Sequence, residues 1–169
     1  MSSIREATPR DAEALLALKR ALDRESSFML LEPGERTTSE SEERSRLAAV
    51  AAQANSVVLV AEDDGELVGY VEASGGEFRR NRTTAYLVIG VRQSHAGRGI
   101  GTCLLADLER WAQAAGLHRL ELTVMTHNQA AISLYRKMGY EIEGTRRAAL
   151  LLDTCPIDEL WMAKLLPSP

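Results

Sequence analysis

The sequence predicts an α/β fold with a mixed β-sheet of six or seven strands and helices on both faces. Short apolar strands between residues 57 and 91 come first, and an Asp-Gly turn at 64–65 indicates an antiparallel hairpin among them. After residue 85, strands alternate with two helix-periodic segments. An antiparallel meander followed by strand–helix–strand units predicts a mixed sheet that is covered on both sides.

The N-terminal elements are a strand at residues 3–7 and a helix. Thr8 has the character of an N-cap, Pro9 fits the first helical position, and Asp11 is an early acid. The apolar face of this helix follows at helical spacing, with Leu15, Leu18 and Leu22. Pro33 and Gly34 indicate that residues 26–38 form a loop.

A second helix begins after Ser39, which forms a capping box with Glu42. Its buried face is predicted to contain Leu47, Val50 and Ala54. The pairs Glu40/Arg44 and Glu42/Arg46 are spaced i, i+4, which is typical of a solvated helix flank.

The remaining elements follow from the same periodicities. Strands are predicted at residues 57–61, 67–73, 85–91, 119–125, 140–152 and 157–165, and helices at residues 102–115 and 129–138. In the helix at 102–115, Leu104, Leu105, Leu108, Trp111 and Ala112 form the buried stripe.

Size and composition favour one globular domain, residues 1–169, with 45% apolar residues. The net charge of −4 gives no electrostatic argument for binding nucleic acid or an anionic membrane. We find neither a long apolar segment nor a signal-peptide pattern, and we therefore expect a cytoplasmic protein. The scattered histidines and the cysteines Cys103 and Cys155 lack metal-ligand spacing, so we expect no metal, and we expect Cys103 to be buried.

Three glycines, Gly97, Gly99 and Gly101, lie where the strand at 85–91 passes into a helix. Backbone amides at a helix N-terminus are unpaired and carry partial positive charge, and glycine lets an anion approach them. The spacing therefore predicts phosphate or pyrophosphate binding, with a simple tight turn as the alternative. No Gly-Lys-Ser/Thr follows, and the glycine spacing differs from the Rossmann fingerprint.

Three segments resemble the GCN5-related N-acetyltransferases. Gly97-Arg98-Gly99-Ile100-Gly101 is similar to the acyl-CoA pyrophosphate loop of that family. The segment from Asn128 to Tyr140, followed by Glu143-Gly144, is similar to the family pattern Asn-x-x-Ala-x-x-Leu-Tyr-x-x-x-Gly-Phe. Residues 158–164 resemble the last strand of many members.

The resemblance implies the acyl-CoA N-acyltransferase fold, with acetyl-CoA as the acyl donor. Its pantetheine arm would enter a cleft between the strands at 85–91 and 119–125, where exposed backbone groups can pair with it. The implied cofactor-binding residues are Val91, Gly97, Arg98, Gly99, Ile100, Gly101, Thr102, Asn128, Ala131, Tyr135 and Lys137, with Arg136 as an alternative to Lys137. Ala96 replaces the usual Arg or Gln, so one side-chain contact is expected to be lost.

Tyr135 is the implied catalytic residue. A tyrosine is protonated at neutral pH and can give a proton to the departing thiolate. Its spacing with Ala131, Leu134 and Met138 also fits a helical core position. Asn128 is expected to act both as an N-cap and as a ligand of pantetheine or an ordered water.

The general base stays open between three side chains and water. Many relatives carry a carboxylate on the strand before the glycine loop, but residues 86–91 contain none. Glu72, Glu121 and His127 are the alternatives, each also consistent with a solvated strand face.

The acceptor is predicted to be a primary amine of a small molecule or peptide, attacked directly in a ternary complex. Phe28, Glu32 and Glu35 are the candidate acceptor residues, whereas Arg79, Arg80 and Arg82 would instead favour an anionic acceptor. The alternative function is a catalytically silent acyl-CoA-binding module that regulates a partner. A homodimer is possible for such a fold.

Overall fold

The computed structural model describes residues 2–167, which form a seven-stranded sheet and four α-helices. The strands are β1 (Ser3–Glu6), β2 (Val57–Asp63), β3 (Glu66–Gly75), β4 (Thr84–Val91), β5 (Arg119–Met125), β6 (Glu141–Leu152) and β7 (Cys155–Leu165). The helices are α1 (Ala12–Glu25), α2 (Glu40–Ala51), α3 (Ile100–Ala114) and α4 (Gln129–Lys137). The predicted strands and helices are therefore confirmed, with small shifts at their ends.

The sheet is mixed, as the sequence predicts. Its strand order is β1-β2-β3-β4-β5-β7-β6. Neighbours pair in antiparallel fashion except β4 and β5, which run parallel because α3 connects them across one face. The hairpin between β2 and β3 turns through Asp64 and Gly65, both with positive φ, as the Asp-Gly pair predicts.

Two apolar clusters hold helices against opposite faces of the sheet. The larger cluster includes Leu87 and Leu122 of the sheet, Leu104 and Leu108 of α3, and Ile132 of α4. The smaller cluster joins α1 and α2 to the other face; its buried residues are Ala12, Leu15, Leu18, Leu22, Leu47, Val58, Val60 and Tyr70. We call these the α3/α4 face and the α1/α2 face.

Helix boundaries differ from the sequence expectation at three places. A 3-10 turn, Pro9–Asp11, precedes α1. The Asp11 carboxylate accepts a hydrogen bond of 2.7 Å from the backbone amide of Thr8. The second helix ends at Ala51, so Ala54 is exposed and its prediction as a buried helix residue is wrong. Helix α3 begins at Ile100, two residues earlier than predicted, because Gly99 can take the left-handed conformation that starts it.

None of the helices between residues 2 and 167 combines the length and apolar character that crossing a membrane requires.

Candidate functional site

The glycine loop leaves a run of backbone amides free at the start of α3. The first helical hydrogen bond comes from the amide of Cys103, which donates to the carbonyl of Gly99 at 3.0 Å. Within residues 2–167, the amides of residues 97–102 donate no backbone hydrogen bond. These donors lie at the positive end of the helix dipole and can bind a compact anion.

Each glycine of the loop has its own structural reason. Gly97 and Gly99 have φ values of +76° and +83°, and a Cβ on either would meet no atom within 4 Å. Backbone conformation, not space, thus favours glycine at these two positions. A Cβ on Gly101 would lie 3.0 Å from Leu134 Cδ2, so this glycine lets α3 and α4 pack closely.

A gap opens between β4 and β5 next to this loop. The two strands pair only at Thr84–Arg119, Ala85–Leu120 and Tyr86–Glu121. Beyond these pairs, residues 87–91 and 122–125 are paired on their outer edges with β3 and β7, respectively. The facing edges therefore expose backbone donors and acceptors that an extended ligand can use like an added strand.

Tyr135 of α4 is buried, with 7% of its surface exposed. It belongs to the same apolar cluster as Leu87 and Leu122, where β4 and β5 diverge. Burial, with a smaller contribution from Tyr86, raises its pKa above the ordinary value of a tyrosine. The Tyr135 hydroxyl forms no hydrogen bond within residues 2–167. Every fully buried side-chain oxygen among these residues has a hydrogen-bond partner, so the Tyr135 hydroxyl is not fully buried. It is therefore a protonated donor that faces accessible space.

Comparisons with known proteins identify the family. The model of the acetyltransferase (GNAT) family matches residues 19–140. The chain belongs to the GNAT family. A crystal structure of a GNAT-family acetyltransferase from Streptococcus pneumoniae shares 33% identity, and the match covers 99% of this chain and 100% of that one at a TM-score of 0.95.

Two further similar proteins differ in how far the likeness extends. The L-amino acid N-acetyltransferase AaaT of Escherichia coli K12 is 32% identical over 111 residues, which cover 63% of this chain and 67% of AaaT. The chain spans about half to two thirds of the length of the curated relatives it matches. A phosphinothricin acetyltransferase from Sinorhizobium meliloti, solved in complex with acetyl-CoA, shares the fold at a TM-score of 0.84 and 23% identity, with 98% of this chain and 88% of that chain covered.

The structure shows which groups of several predicted cofactor residues in this GNAT chain are available to a ligand. Ile100 is buried, and the side chain of Val91 packs against the larger apolar cluster. The Ala131 amide donates to Asn128 Oδ1 at 3.2 Å, which confirms Asn128 as the N-cap of α4 and occupies that amide. Thr102 lies in the first turn of α3, where its amide is among the free donors. The exposed Ala96 has a methyl group in place of a polar side chain.

Cations flank the glycine loop and the end of α4. Arg98 is 60% exposed at its side chain and lies 3.8 Å from Asp63, whose carboxylate is also 3.5 Å from His95. Arg136 and Lys137 are exposed in the last turn of α4 and form no ion pair within the described residues. Both regions can therefore attract phosphate groups.

The structure distinguishes the three candidate bases. Both carboxylate oxygens of Glu72 accept bonds from cations, one from Arg46 and one from Lys19 at 3.3 Å. The interpretation of Glu72 as a solvated strand residue is therefore wrong. The predicted Glu42/Arg46 pair on the helix flank is also wrong, because Arg46 turns inward and binds Glu43 and Glu72. The predicted Glu40–Arg44 pair is present and exposed.

The other two candidate bases lie at opposite ends of β5. Glu121 accepts a bond from Arg119 at 2.6 Å near the paired end. His127 is exposed just beyond β5, and its ring centroid is 5.0 Å from that of Phe28. Neither lies on the diverging edge of β4.

The loop at 26–38 reaches from α1 to the end of β5 through this Phe28 contact. Glu35 accepts the amide of Glu32 at 2.7 Å and thereby closes a turn of the loop. Glu32 is exposed. Arg79, Arg80 and Arg82 are exposed between β3 and β4, with no ion pair within residues 2–167. The candidate acceptor residues thus fall in two regions: residues 28–35 near the carboxyl end of β5, and residues 79–82 before the end of β4 that pairs with β5.

Sequence reasoning missed Tyr86 and Thr123. The Tyr86 hydroxyl lies 2.7 Å from Thr123 Oγ1, and its ring centroid is 6.1 Å from that of Trp161. Strand alternation could have found the first of them, because Tyr86 lies between the buried residues Ala85 and Leu87 and so points to the opposite face. The contact with Thr123 could not be found this way, since it joins strands 37 residues apart.

Cys103 also departs from expectation, because its side chain is exposed. Within residues 2–167, His, Cys, Asp and Glu side chains nowhere gather in a group of three that could hold a metal ion.

Proposed function

We propose that this protein transfers the acetyl group of acetyl-CoA to the primary amine of a small molecule by direct attack in a ternary complex. One observation carries the proposal: the free amides of residues 97–102 adjoin the gap between β4 and β5. A diphosphate on those amides directs the rest of an extended donor into the gap. GNAT family membership supports the same donor.

The donor contacts follow from this arrangement. The diphosphate accepts bonds from the loop amides, and Arg98 adds positive charge beside it. The pantetheine amides pair with the facing backbone edges of 87–91 and 122–125, beginning at Val91. Asn128 is free to use its amide nitrogen, because its oxygen caps α4. Lys137 lies on the exposed last turn of α4, where it can bind the adenosine 3′-phosphate.

Tyr135 supplies the proton that the reaction needs at sulfur. Attack of an amine on the thioester expels a thiolate, and proton donation to sulfur lowers the cost of this step. Tyr135 is protonated at neutral pH, because the ordinary pKa of a tyrosine is already near 10 and burial raises it further. Its position in the cluster around Leu87 and Leu122 supports this role.

We infer an acceptor that resembles an amino acid, with a carboxylate near its amine. The E. coli relative, an L-amino acid N-acetyltransferase, supports this class. On this chain, the exposed guanidinium groups of Arg79, Arg80 and Arg82 can bind a carboxylate.

The decisive experiment measures thiol release from acetyl-CoA with a panel of L-amino acids, simple amines without a carboxylate, and short peptides. The expected result is acceptor-dependent release that is fastest with amino acids. Tight CoA binding without release for any acceptor would instead support a silent acyl-CoA-binding module. Equal rates with and without a carboxylate would contradict the inferred acceptor class but not the transfer reaction.

A further inference from the structure

Tyr86 lies at the point where the gap begins. It is the last β4 residue paired with β5, opposite Glu121. Its side chain projects from the α1/α2 face, whereas Tyr135 lies in the cluster on the α3/α4 face. The two tyrosines therefore belong to opposite faces of the sheet.

The Tyr86 hydroxyl bridges the diverging strands through a side-chain bond. It lies 2.7 Å from Thr123 Oγ1, and Thr123 is beyond the last β4–β5 backbone pair. Thr123 is in register with Trp161 of β7, whose ring packs against Tyr86. This packing and the hydrogen bond together fix the phenol at the floor of the gap.

The Tyr86 hydroxyl can accept a further hydrogen bond from a ligand. A phenol that donates one bond to Thr123 retains lone pairs that can accept another. Tyr86 is 36% exposed, so an acceptor molecule and water both have access to it.

Other proton acceptors near this point are already bonded or lie elsewhere. Both oxygens of Glu72 bind cations, and Glu121 binds Arg119. His127 lies beyond the far end of β5 against Phe28. Along β4 itself, residues 84–91 include no carboxylate.

We propose that Tyr86 is a catalytic residue whose hydroxyl, held by Thr123, accepts a hydrogen bond from the acceptor amine and relays its proton to water. This role rests on the proposed acetyl transfer. The bond directs the nitrogen lone pair toward the thioester carbonyl from the α1/α2 face. Orientation of this kind is a large part of enzymatic rate enhancement.

The proton balance uses both tyrosines. The nitrogen–carbon bond forms and the carbon–sulfur bond breaks, with its electron pair going to sulfur. The amine proton passes to Tyr86 while the proton of Tyr86 moves to Thr123, and the hydroxyl proton of Thr123 leaves to water. Tyr135 protonates sulfur and regains a proton from water. A neutral amine and acetyl-CoA thus give the amide and CoA with no net proton change.

The test compares Tyr86→Phe and Thr123→Val with the control Tyr70→Phe. Tyr70 is a buried tyrosine of β3 on the same α1/α2 face, so its variant removes a hydroxyl from that face but not from the gap. For each variant, kcat, the KM of the acceptor, CoA affinity and Tm are measured. We expect Tyr86→Phe to lower kcat by roughly 10²-fold, the size typical of losing a proton-transfer group.

Thr123→Val should lower kcat in the same direction but less, because Tyr86 keeps its hydroxyl and, without the Thr123 relay, its exposed phenol passes the proton directly to water. CoA affinity in both variants should stay near that of the wild type. If Tyr86→Phe matches Tyr70→Phe in kcat, or weakens CoA binding while kcat is unchanged, Tyr86 only shapes the gap and the inference is overturned. Should Tyr86→Phe fail to fold, an unchanged kcat in folded Thr123→Val overturns it as well.

Thiol release by the wild-type protein distinguishes a failure of this inference from a failure of the proposed function. Absence of thiol release by the wild type with every acceptor would overturn both. Wild-type turnover that Tyr86→Phe retains would overturn only the role of Tyr86.

Discussion

The Nζ atom of Lys19 lies 3.2 Å from Oε1 of Glu43, and both side chains are almost completely buried between α1 and α2. Arg46 binds the same glutamate, and Glu72 of β3 accepts bonds from both cations. Two positive and two negative groups therefore balance beneath the helices that cover the α1/α2 face. Since the loop at 26–38 connects these helices, the four-residue cluster fixes the two helices between which that loop runs.

Glu43→Gln should destabilise the fold by about 3 kcal/mol, because it leaves Lys19 and Arg46 with only the half-buried Glu72 as counter-charge. Glu40→Gln is the matched control, since it breaks the exposed pair with Arg44 and should cost less than about 1 kcal/mol. Urea unfolding at neutral pH measures both. Equal losses would mean that burial adds nothing to the Glu43 pairing.

Gly99→Val should abolish the thermal stabilisation that CoA gives, because the change strains the backbone that aims the loop amides. Gly116→Val is the control at the other end of α3. Gly116 also has positive φ, +74°, and a Cβ there would meet no atom within 4 Å. Both variants should lose comparable stability without ligand, but only Gly116→Val should keep the Tm increase with CoA. A preserved increase in Gly99→Val would locate the donor elsewhere.

Tyr135→Phe should reduce kcat by roughly 10²-fold and change CoA affinity little, since it removes a proton donor and preserves the buried ring. Tyr140→Phe serves as control, because Tyr140 is also buried and its ring centroid is 5.9 Å from that of Tyr135. Steady-state turnover and calorimetric CoA titration separate the two effects. Weaker binding with unchanged turnover would make Tyr135 a packing residue.

Lys137→Ala should weaken CoA binding roughly fivefold, equivalent to about 1 kcal/mol, as expected for one exposed charge–phosphate contact. Binding of 3′-dephospho-CoA should not change. Arg147→Ala removes an exposed cation from β6, away from α4, and controls for net charge. A similar loss for both ligands would show that Lys137 does not contact the 3′-phosphate.

Acid should weaken the start of α1 through Asp11. Hydrogen bonds from Arg5 lower the pKa of Asp11 to about 2, and they outweigh the opposing effect of burial. Because the folded pKa is below the ordinary value of 3.8, this stabilisation is complete above pH 4 and disappears as the pH falls toward 2. We expect about 1 kcal/mol in view of the exposed Arg5. Unfolding free energies of the wild type and Asp11→Asn should converge over this range; a constant difference would contradict the assignment.

The sequence alone determined the elements and the position of the glycine loop before α3. Both rest on local rules: the period of apolar residues, the Ser39–Glu42 capping box, the Asp-Gly turn and the glycines before α3. Such features act within a few residues, so they can be read along the chain. The errors at Ala54 and at the first residue of α3 are end effects of these local rules.

Only the tertiary structure decided which side chains meet. It turned Arg46 from its neighbour Glu42 to Glu43 and Glu72, because a buried glutamate needs a counter-charge more than a solvated one does. It also brought Tyr86 to Thr123 across the diverging strands. Pairing register and strand separation set these long-range contacts, and neither is encoded in the spacing of residues within one element.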